Sequence, residues 1–393
     1  MKKIELLSPA GDLERLKIAY LYGADACYIG GTSYSLRANA NNFTIDEIKE
    51  ARKIASKLKK KLYVTVNISF HNDDLEGIEK YLKELDKTKI DAVIISDPLL
   101  IPIIKKNCKH LEIHLSTQES TTNYLSVKYW LKEGATRVVL AREVSKDEIK
   151  EIYNKTKAQL EVFLHGAMCT CISGRCVLSN YFTNRDSNRG GCAQVCRFNF
   201  DLDKKRKTDF QIATCDLNLS NYIKDLIEAN VASLKVEGRM RSTYYIATVI
   251  SSYRKLIDAY YNNTMTKELL KITNKSLERV ANRISTSHFF DKKANYKDQY
   301  YLGRNEISNQ DFLAQVIDYD KKNKLVIVEQ RNYFKKGDTV NIFGPSGFEK
   351  DLKIEKIYNE NMEEIEIANH PKEILKIKTD YFIPANSMMR VKF

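Results

Sequence analysis

Five cysteines lie close together in the middle of the chain, in a stretch rich in glycine, serine and arginine. The protein has eight cysteines in all, so this grouping holds more than half of them. It follows an apolar segment, residues 161–164, and closely spaced thiolates repel each other unless a cation or oxidation holds them together. The density therefore predicts a metal or cluster site within Cys169, Cys171, Cys176, Cys192 and Cys196.

The composition is that of an ordinary soluble globular protein of 393 residues, long enough for two or three domains. No apolar run reaches about 18 residues, and the chain starts with a strand-like segment, so we expect neither a membrane span nor a signal peptide. We therefore expect a cytoplasmic protein. In that reducing compartment the cysteines are better interpreted as thiols or ligands than as disulfides.

The charge balance is basic. Lysine and arginine number 64 against 51 aspartate and glutamate, a formal net charge of +13. Such a surplus favours a polyanionic partner, because each cation set against a phosphate releases condensed counterions. A solvated, lysine-rich surface explains the same surplus equally well. Basic residues cluster at Lys204 to Lys207 and again after Arg241.

Short β-rich runs alternate with longer helical stretches through the first part of the chain, the pattern of parallel strands joined by helices. The runs predict an α/β fold, a (β/α)8 barrel of the TIM type, whose functional residues should lie where strands end and loops begin. The cysteine stretch replaces a simple connection between the seventh and eighth strands. The predicted strands are residues 4–7, 26–29, 62–67, 92–96, 112–116, 137–140, 160–164 and 233–236.

We predict three parts along the chain. Residues 1–240 form the barrel, with a cluster-binding loop at 165–200, and residues 241–308 form a basic helical segment and a linker. Residues 309–393 form a small antiparallel β-barrel domain, because short β runs there are separated by turn residues. Its expected strands are residues 312–318, 324–329, 339–343, 352–357 and 388–393.

Several motifs together resemble a known family. They are His165 to Cys169, Ser173 to Ser179, Cys192 to Arg197 and Lys235 to Met240. This set is similar to the collagenase-like peptidases of unknown catalytic type, and the similarity covers the whole barrel. Further agreement at residues 6–11, 35–38, 96–98 and 114–118 resembles the family's bacterial tRNA hydroxylation branch.

This resemblance implies synthesis of 5-hydroxyuridine at the tRNA wobble position, with prephenate as the hydroxyl-donor cosubstrate and without molecular oxygen. It also implies a 4Fe-4S cluster. Carried over residue by residue, the cluster ligands would be Cys169, Cys176, Cys192 and Cys196. Two further thiols depart from the family pattern, Cys171 and Cys215, and either could replace the fourth ligand.

The spacing of those four residues is Cys-x6-Cys, then fifteen residues, then Cys-x3-Cys. Structural zinc sites favour shorter paired spacings, whereas iron–sulfur clusters accept thiolates from more varied loops. The spacing therefore favours iron–sulfur. Zinc and inert buried thiols stay open as alternatives.

An organic acid with two carboxylates is best bound by cations that donate two parallel hydrogen bonds to each carboxylate. The planar guanidinium group of arginine has this geometry. We expect five rim arginines together with Gln118 to bind the cosubstrate: Arg37, Arg142, Arg175, Arg197 and Arg239. The candidates for catalytic roles are Arg142, His165, Glu237 and Asp97. Structural roles account for these residues about as well as functional ones. Ordinary ion pairs would explain the charged residues, and a hydrogen bond to the backbone would explain a histidine at the end of a strand.

For RNA, the resemblance implies contact with the anticodon region, whose unpaired bases stack on aromatic or arginine side chains. We expect these contacts from the C-terminal β domain and from the basic helical segment, where five tyrosines offer rings, Tyr244, Tyr245, Tyr253, Tyr260 and Tyr261. Packing of this helix on the barrel explains their spacing equally well. The rival functions are a peptidase, hydroxylation of ribosomal RNA, and a non-catalytic cluster-bearing RNA scaffold. A peptidase is disfavoured, since neither Gly-x-Ser-x-Gly nor His-Glu-x-x-His occurs. Homo-oligomers, or hetero-oligomers with a paralogous chain, are compatible with this prediction.

Overall fold

The computed structural model of the protein describes residues 3–36, 42–201, 210–300 and 310–392. A parallel barrel wall is formed by β1 (Glu5–Pro9), β2 (Ala26–Gly30), β3 (Lys61–Val66), β4 (Ala92–Ile95), β5 (Glu112–Leu115), β6 (Arg137–Val139) and β7 (Leu160–Gly166). A short strand, β8 (Asp216–Asn218), pairs antiparallel with the end of β7, and β9 (Ser233–Val236) completes the wall.

The barrel closes through β9. Leu234 of this strand is in register with Leu6 of β1 on one side and with Val162 of β7 on the other. The predicted (β/α)8 barrel is confirmed, with all eight predicted strands present. Almost every wall residue is buried, because helices cover the outside and side chains fill the inside.

Helices cover the outer face of the barrel. Their apolar positions recur every three or four residues, as in α2, where Ile48, Ala51 and Ala55 are buried. A capping box at Thr44 and Glu47 fixes the start of that helix. The barrel helices are α1 (Leu13–Leu21), α2 (Ile45–Lys57), α3 (Ile78–Lys87), α4 (Leu100–Asn107), α5 (Tyr124–Glu133) and α6 (Lys146–Thr156).

The connection from β7 to β9 is long and carries the cysteines. It contains α7 (Leu178–Thr183), β8 and α8 (Ile223–Glu228). After β9 come α9 (Thr243–Tyr261), α10 (Lys267–Arg279) and β10 (Ser285–Thr286), which pairs in parallel with β8. Helix α9 packs against α1 and β1, and most of its residues are buried.

A charged network fills the amino end of the barrel interior. Glu161 accepts a hydrogen bond from Lys235 Nζ at 2.8 Å and lies 3.2 Å from Arg137 Nη1. Arg137 also donates to Glu5 at 2.6 Å. Two carboxylates thus face two cations where no solvent enters, so each charge depends on its partners.

The C-terminal part is an antiparallel β domain with strands β11 (Phe312–Asp320), β12 (Leu325–Gln330), β13 (Phe334–Lys335), β14 (Thr339–Phe343), β15 (Glu349–Lys353), β16 (Ile357–Tyr358), β17 (Glu364–Ile365), β18 (Ile367–Ala368), β19 (Ile374–Lys378) and β20 (Met388–Val391). The single strand expected at 352–357 is wrong. Leu352 pairs with Val340 but Ile357 pairs with Ile377, so the two halves of that run join different strands.

Contacts join this domain to the barrel. The hydroxyl of Tyr22, which directly follows α1, donates to the carbonyl of Asn386 at 2.8 Å. Tyr244 of α9 stacks on Phe312 with ring centroids 4.7 Å apart. Phe343 and Met388 belong to the same buried cluster as the barrel helices. The apolar core therefore continues from the barrel into the first strands of the C-terminal domain.

Candidate metal centre and active-site rim

A sharp turn sends the cysteine segment across the mouth of the barrel. Gly166, the last residue of β7, has φ +111°, and a Cβ there would lie 2.5 Å from the carbonyl oxygen of Glu237. Only glycine accepts both this backbone conformation and this close approach. The segment therefore starts directly beside the end of β9.

Side chains from neighbouring strand ends anchor the segment. Glu143, which follows β6, accepts hydrogen bonds from the backbone N–H of Ser173 at 2.8 Å and from its hydroxyl at 3.1 Å. Glu119, which follows β5, pairs with Arg175 at 2.6 Å. Further along, Arg189 pairs with Asp74. The barrel rim thus fixes the segment at several points and holds its thiols above the barrel mouth.

The five thiols of the segment lie in one neighbourhood. Burial, together with the adjacent thiols of Cys176, Cys169 and Cys196, raises the pKa of Cys171 to about 12. Burial and Cys169 also raise the pKa of Cys196, which Arg197 opposes. Mutual repulsion of this kind is relieved when a cation binds the thiolates.

The donor set of this group of thiols bears on which metal could bind. Among the residues that the structure describes, no three His, Cys, Asp or Glu side chains are arranged as a ready site for one metal ion. A single zinc ion needs its ligands about 2.0–2.3 Å from a common centre. A cluster interposes several irons and sulfides and so separates its ligands further. The all-sulfur donor set fits an iron–sulfur cluster.

The remaining cysteines lie apart from this group. The thiol of Cys215 is buried and donates to the carbonyl of Gln299 at 3.4 Å. Cys27 is buried within β2, and Cys108 ends α4. Cys171, by contrast, lies among the segment thiols, so it is the extra thiol that the structure places near the predicted ligands.

Arg142 and Glu237 come together at the ends of β6 and β9. Arg142 Nη2 lies 3.5 Å from Glu237 Oε2, and its guanidinium lies 3.7 Å from the ring centroid of Phe163. The Nε of Arg142 is buried, and no residue that the structure describes accepts a hydrogen bond from it. This pair therefore borders the barrel mouth with a donor still available.

Two other predicted rim residues form local hydrogen bonds. Gln118 is buried, and its Oε1 accepts from Asn67 Nδ2 at 2.9 Å and from the Ser116 hydroxyl at 3.2 Å. Asp97 accepts from the backbone N–H of Leu99 at 3.0 Å. Both side chains lie at strand ends, Gln118 inside the mouth and Asp97 on a turn.

Arg239 is buried beside β2 and β3. Its Nη1 lies 3.0 Å from the Ser35 hydroxyl, and its Nη2 donates to the Leu36 carbonyl. A Cβ on Gly30 would lie 1.8 Å from the same Nη1, so glycine is required there. Arg37, the next predicted arginine, lies outside the described residues.

His165 is held inside the barrel by Tyr253 of α9. Its Nδ1 lies 3.1 Å from the tyrosine hydroxyl, which in turn donates to Asn218 at 3.0 Å. Burial, and to a lesser extent the positive charge of Arg241, lowers the pKa of His165 to about 3. The ring is therefore neutral near pH 7 and cannot serve as a proton donor in its cationic form.

We expect the His165 ring to stay neutral from about pH 5 to pH 8, since its lowered pKa lies below this range. Ring carbon and nitrogen chemical shifts measured by NMR across that range should not move. Tyr253→Phe, which removes the hydroxyl but keeps the ring, is a matched variant for assigning the signal. A titration midpoint near 6.5 would contradict this prediction.

An arginine-rich group that the sequence reasoning missed lies next to Cys196. Asp216 of β8 is buried between Arg283 Nη2 at 2.6 Å and Arg241 Nη2 at 3.5 Å. Arg197 is close enough that Arg283 and Arg241 both lower its pKa, after burial itself. Two guanidinium groups thus pair with one carboxylate, and a third, that of Arg197, lies close by. Arg283 was hidden because it lies far along the chain, and only β10 pairing with β8 brings it to the rim.

The tyrosines expected to contact RNA are largely buried. Tyr244, Tyr245 and Tyr253 belong to the barrel core, so this prediction is wrong for them. The ring of Tyr245 faces His165, with its hydroxyl donating to the carbonyl of Glu237 at 3.2 Å. Their spacing along α9 reflects helix packing on the barrel.

Comparisons with known proteins agree with the fold and the segment. Residues 11–300 match the peptidase family U32, and residues 308–390 match the peptidase family U32 C-terminal domain. The chain therefore belongs to peptidase family U32.

Named relatives extend along most of the chain. The tRNA hydroxylation protein P1 of Bacillus subtilis is 44% identical over 99% of this chain and 95% of its own length. The tRNA hydroxylation protein P of Haemophilus influenzae is 34% identical over 93% of this chain and 91% of its own. The 23S rRNA 5-hydroxycytidine C2501 synthase of Escherichia coli is 36% identical over 65% of this chain and 40% of its own. No helix in the described part of the chain has the length and apolar character needed to cross a bilayer.

Proposed function

We propose that this protein is an RNA-modifying enzyme that hydroxylates uridine in tRNA, forming 5-hydroxyuridine at the wobble position. The observation that carries the proposal is the similarity over nearly the full length to proteins named for tRNA hydroxylation, at 44% identity in the first case. A relative named as an rRNA hydroxycytidine synthase adds that hydroxylation of a pyrimidine base occurs elsewhere among the relatives.

An iron–sulfur cluster is the cofactor that best fits the donor set. Cys169, Cys176, Cys192 and Cys196 would hold it, with Cys171 as the neighbouring extra thiol. The backbone N–H of Leu178 donates to Cys176 Sγ at 3.4 Å, a hydrogen bond that stabilises the thiolate form. When bound, such a cluster supplies electron transfer.

Prephenate, a dicarboxylate, would bind beside the thiols. Of the predicted arginines, Arg142 is paired with Glu237, and Arg175 with Glu119. The arginine group around Asp216 instead has three cations for one carboxylate, a surplus that suits a doubly negative ligand. We therefore add Arg241 and Arg283 to Arg197 as candidate cosubstrate residues.

The test is hydroxylation by the purified protein. Anaerobically prepared protein, unmodified tRNA and prephenate should give 5-hydroxyuridine, detected by mass spectrometry of digested nucleosides. Omitting prephenate should abolish the product, whereas admitting oxygen should not be required. The matched substrate is 23S ribosomal RNA, on which we expect no hydroxylation.

Three outcomes would overturn the proposal. Product on ribosomal RNA alone would assign the protein to the other branch of hydroxylases. Product only after a second polypeptide is added would favour a cluster-bearing scaffold that needs a partner chain. Cleavage of gelatin without any nucleoside product would favour the peptidase activity that the family name carries.

A further inference from the structure

Large apolar side chains are exposed on the cysteine segment. Ile172, Val177, Tyr181 and Phe182 have exposed fractions of 68%, 57%, 84% and 58%. Tyr181 is the most exposed large hydrophobic residue in the described part of the chain. Contiguous exposed apolar surface of this kind marks an interaction site, because leaving it in water is unfavourable.

The exposed residues lie beside the thiols. Helix α7 begins two residues after Cys176. The backbone N–H of Tyr181 donates to the carbonyl of Val177 at 3.2 Å, so these two residues lie on one face of the helix, one turn apart. At about 1.5 Å per residue, Tyr181 is roughly 8 Å along the axis from Cys176. Phe182 packs edge-on against Phe200 with ring centroids 5.6 Å apart.

The cysteine segment itself is basic. Between Val162 and Phe200 the chain has four arginines and one acidic residue, Asp186. Rim carboxylates neutralise two of these arginines, since Arg175 pairs with Glu119 and Arg189 with Asp74. Asp186 is half-buried and accepts from the backbone N–H of Asn188 at 2.9 Å. Arg175 and Arg185 are exposed on either side of Tyr181 along the chain.

Exposed aromatic rings among arginines fit single-stranded nucleic acid. Every base has a flat π face that stacks on such rings, and arginines neutralise the adjacent phosphates. A base-paired helix keeps its bases stacked inside and cannot use the rings. A purely apolar partner would not need the arginines.

We propose that Tyr181, flanked by Val177, Phe182 and Arg185, stacks an unpaired base of the RNA substrate beside the thiol site. We call this surface the α7 stacking surface. The inference rests on the proposed function and adds where the RNA binds. It replaces the first part of α9 as the aromatic contact, since Tyr244, Tyr245 and Tyr253 are buried.

The test compares RNA binding by Tyr181→Ala, Tyr181→Phe and the wild type. The probes are a fluorescent anticodon stem–loop and a fully paired hairpin of equal length, measured by anisotropy. Tyr181→Ala should weaken stem–loop binding about tenfold, which corresponds to about 1.4 kcal/mol, because the variant loses the ring on which a base stacks. Tyr181→Phe should bind like the wild type. Paired-hairpin affinity should not change.

Tyr381→Ala is the matched control, because Tyr381 is also an exposed tyrosine, with an exposed fraction of 52%, but lies in the C-terminal domain. Circular dichroism and metal content should equal those of the wild type, since Tyr181 makes few buried contacts. If the wild type binds the stem–loop and Tyr181→Ala binds it with the same affinity, the stacking surface is overturned while the proposed function stands. Self-association lost in Tyr181→Ala at unchanged RNA affinity would overturn it in favour of a second copy. If the wild type neither binds nor hydroxylates tRNA, the proposed function itself is wrong.

Discussion

Replacing Glu161 with glutamine should destabilise the barrel by about 3–5 kcal/mol, because breaking a buried ion pair leaves its partner charge uncompensated. The carboxylate is fully buried and lies against both Lys235 and Arg137. Lys235 would then be left inside the barrel without its counter-charge, whereas Arg137 keeps Glu5. Chemical unfolding followed by circular dichroism measures the loss of stability.

A second substitution separates the charge effect from packing. Lys235→Met in the Glu161→Gln background removes the orphaned cation, so the double variant should be more stable than the sum of the two single effects predicts. Glu366→Gln is the control, since Glu366 pairs with Lys336 on an exposed surface. Its stability should change by less than about 1 kcal/mol. Equal losses at the buried and exposed sites would contradict the network.

The same pair gives a pH dependence with a defined sign. Burial alone would raise the pKa of Glu161, but Lys235 and Arg137 outweigh it and lower the pKa to about 2. Its stabilising contribution is therefore fully present above the unfolded value of 4.5 and is lost as pH falls towards 2. Glu161→Gln should flatten this part of the stability profile.

Cys176→Ser should abolish both the cluster and hydroxylation. For a 4Fe-4S cluster, iron per chain should fall from about four to near zero, with loss of visible absorbance, because serine oxygen does not replace a thiolate ligand. The same result is expected for the serine variants of Cys169, Cys192 and Cys196. Iron analysis of anaerobically purified protein measures it.

Three cysteines supply the matched controls. Cys108→Ser and Cys215→Ser change thiols that lie apart from the segment, so iron should be retained. Cys171→Ser changes a thiol that lies among the predicted ligands. If this variant retains its iron, the four predicted ligands remain Cys169, Cys176, Cys192 and Cys196. If the wild type contains one zinc and no iron per chain, the site is a zinc site and the cluster prediction is wrong. Full iron in Cys176→Ser would remove that residue from the ligands.

Several parts of the fold were predictable because the signal is local. Apolar runs such as Ala92–Ile95 are short, buried on both faces and followed by helical periodicity, which determines a parallel α/β barrel. The run at residues 352–357 was not predictable, because its apolar spacing is continuous although its halves pair with different strands. Strand partners depend on contacts far along the chain.

The site divides in the same way. The amino-acid sequence by itself determined which thiols are available and that they share one segment, since density and spacing are properties of the chain. Tertiary structure alone decided that Arg283 joins Arg241 around Asp216, and that Tyr244, Tyr245 and Tyr253 of α9 are buried while Tyr181 stays exposed. The physical reason is that burial and charge pairing depend on which surfaces meet. Residues that lie far apart along the chain, such as Arg283 and Asp216, meet only when the barrel closes and packs its helices.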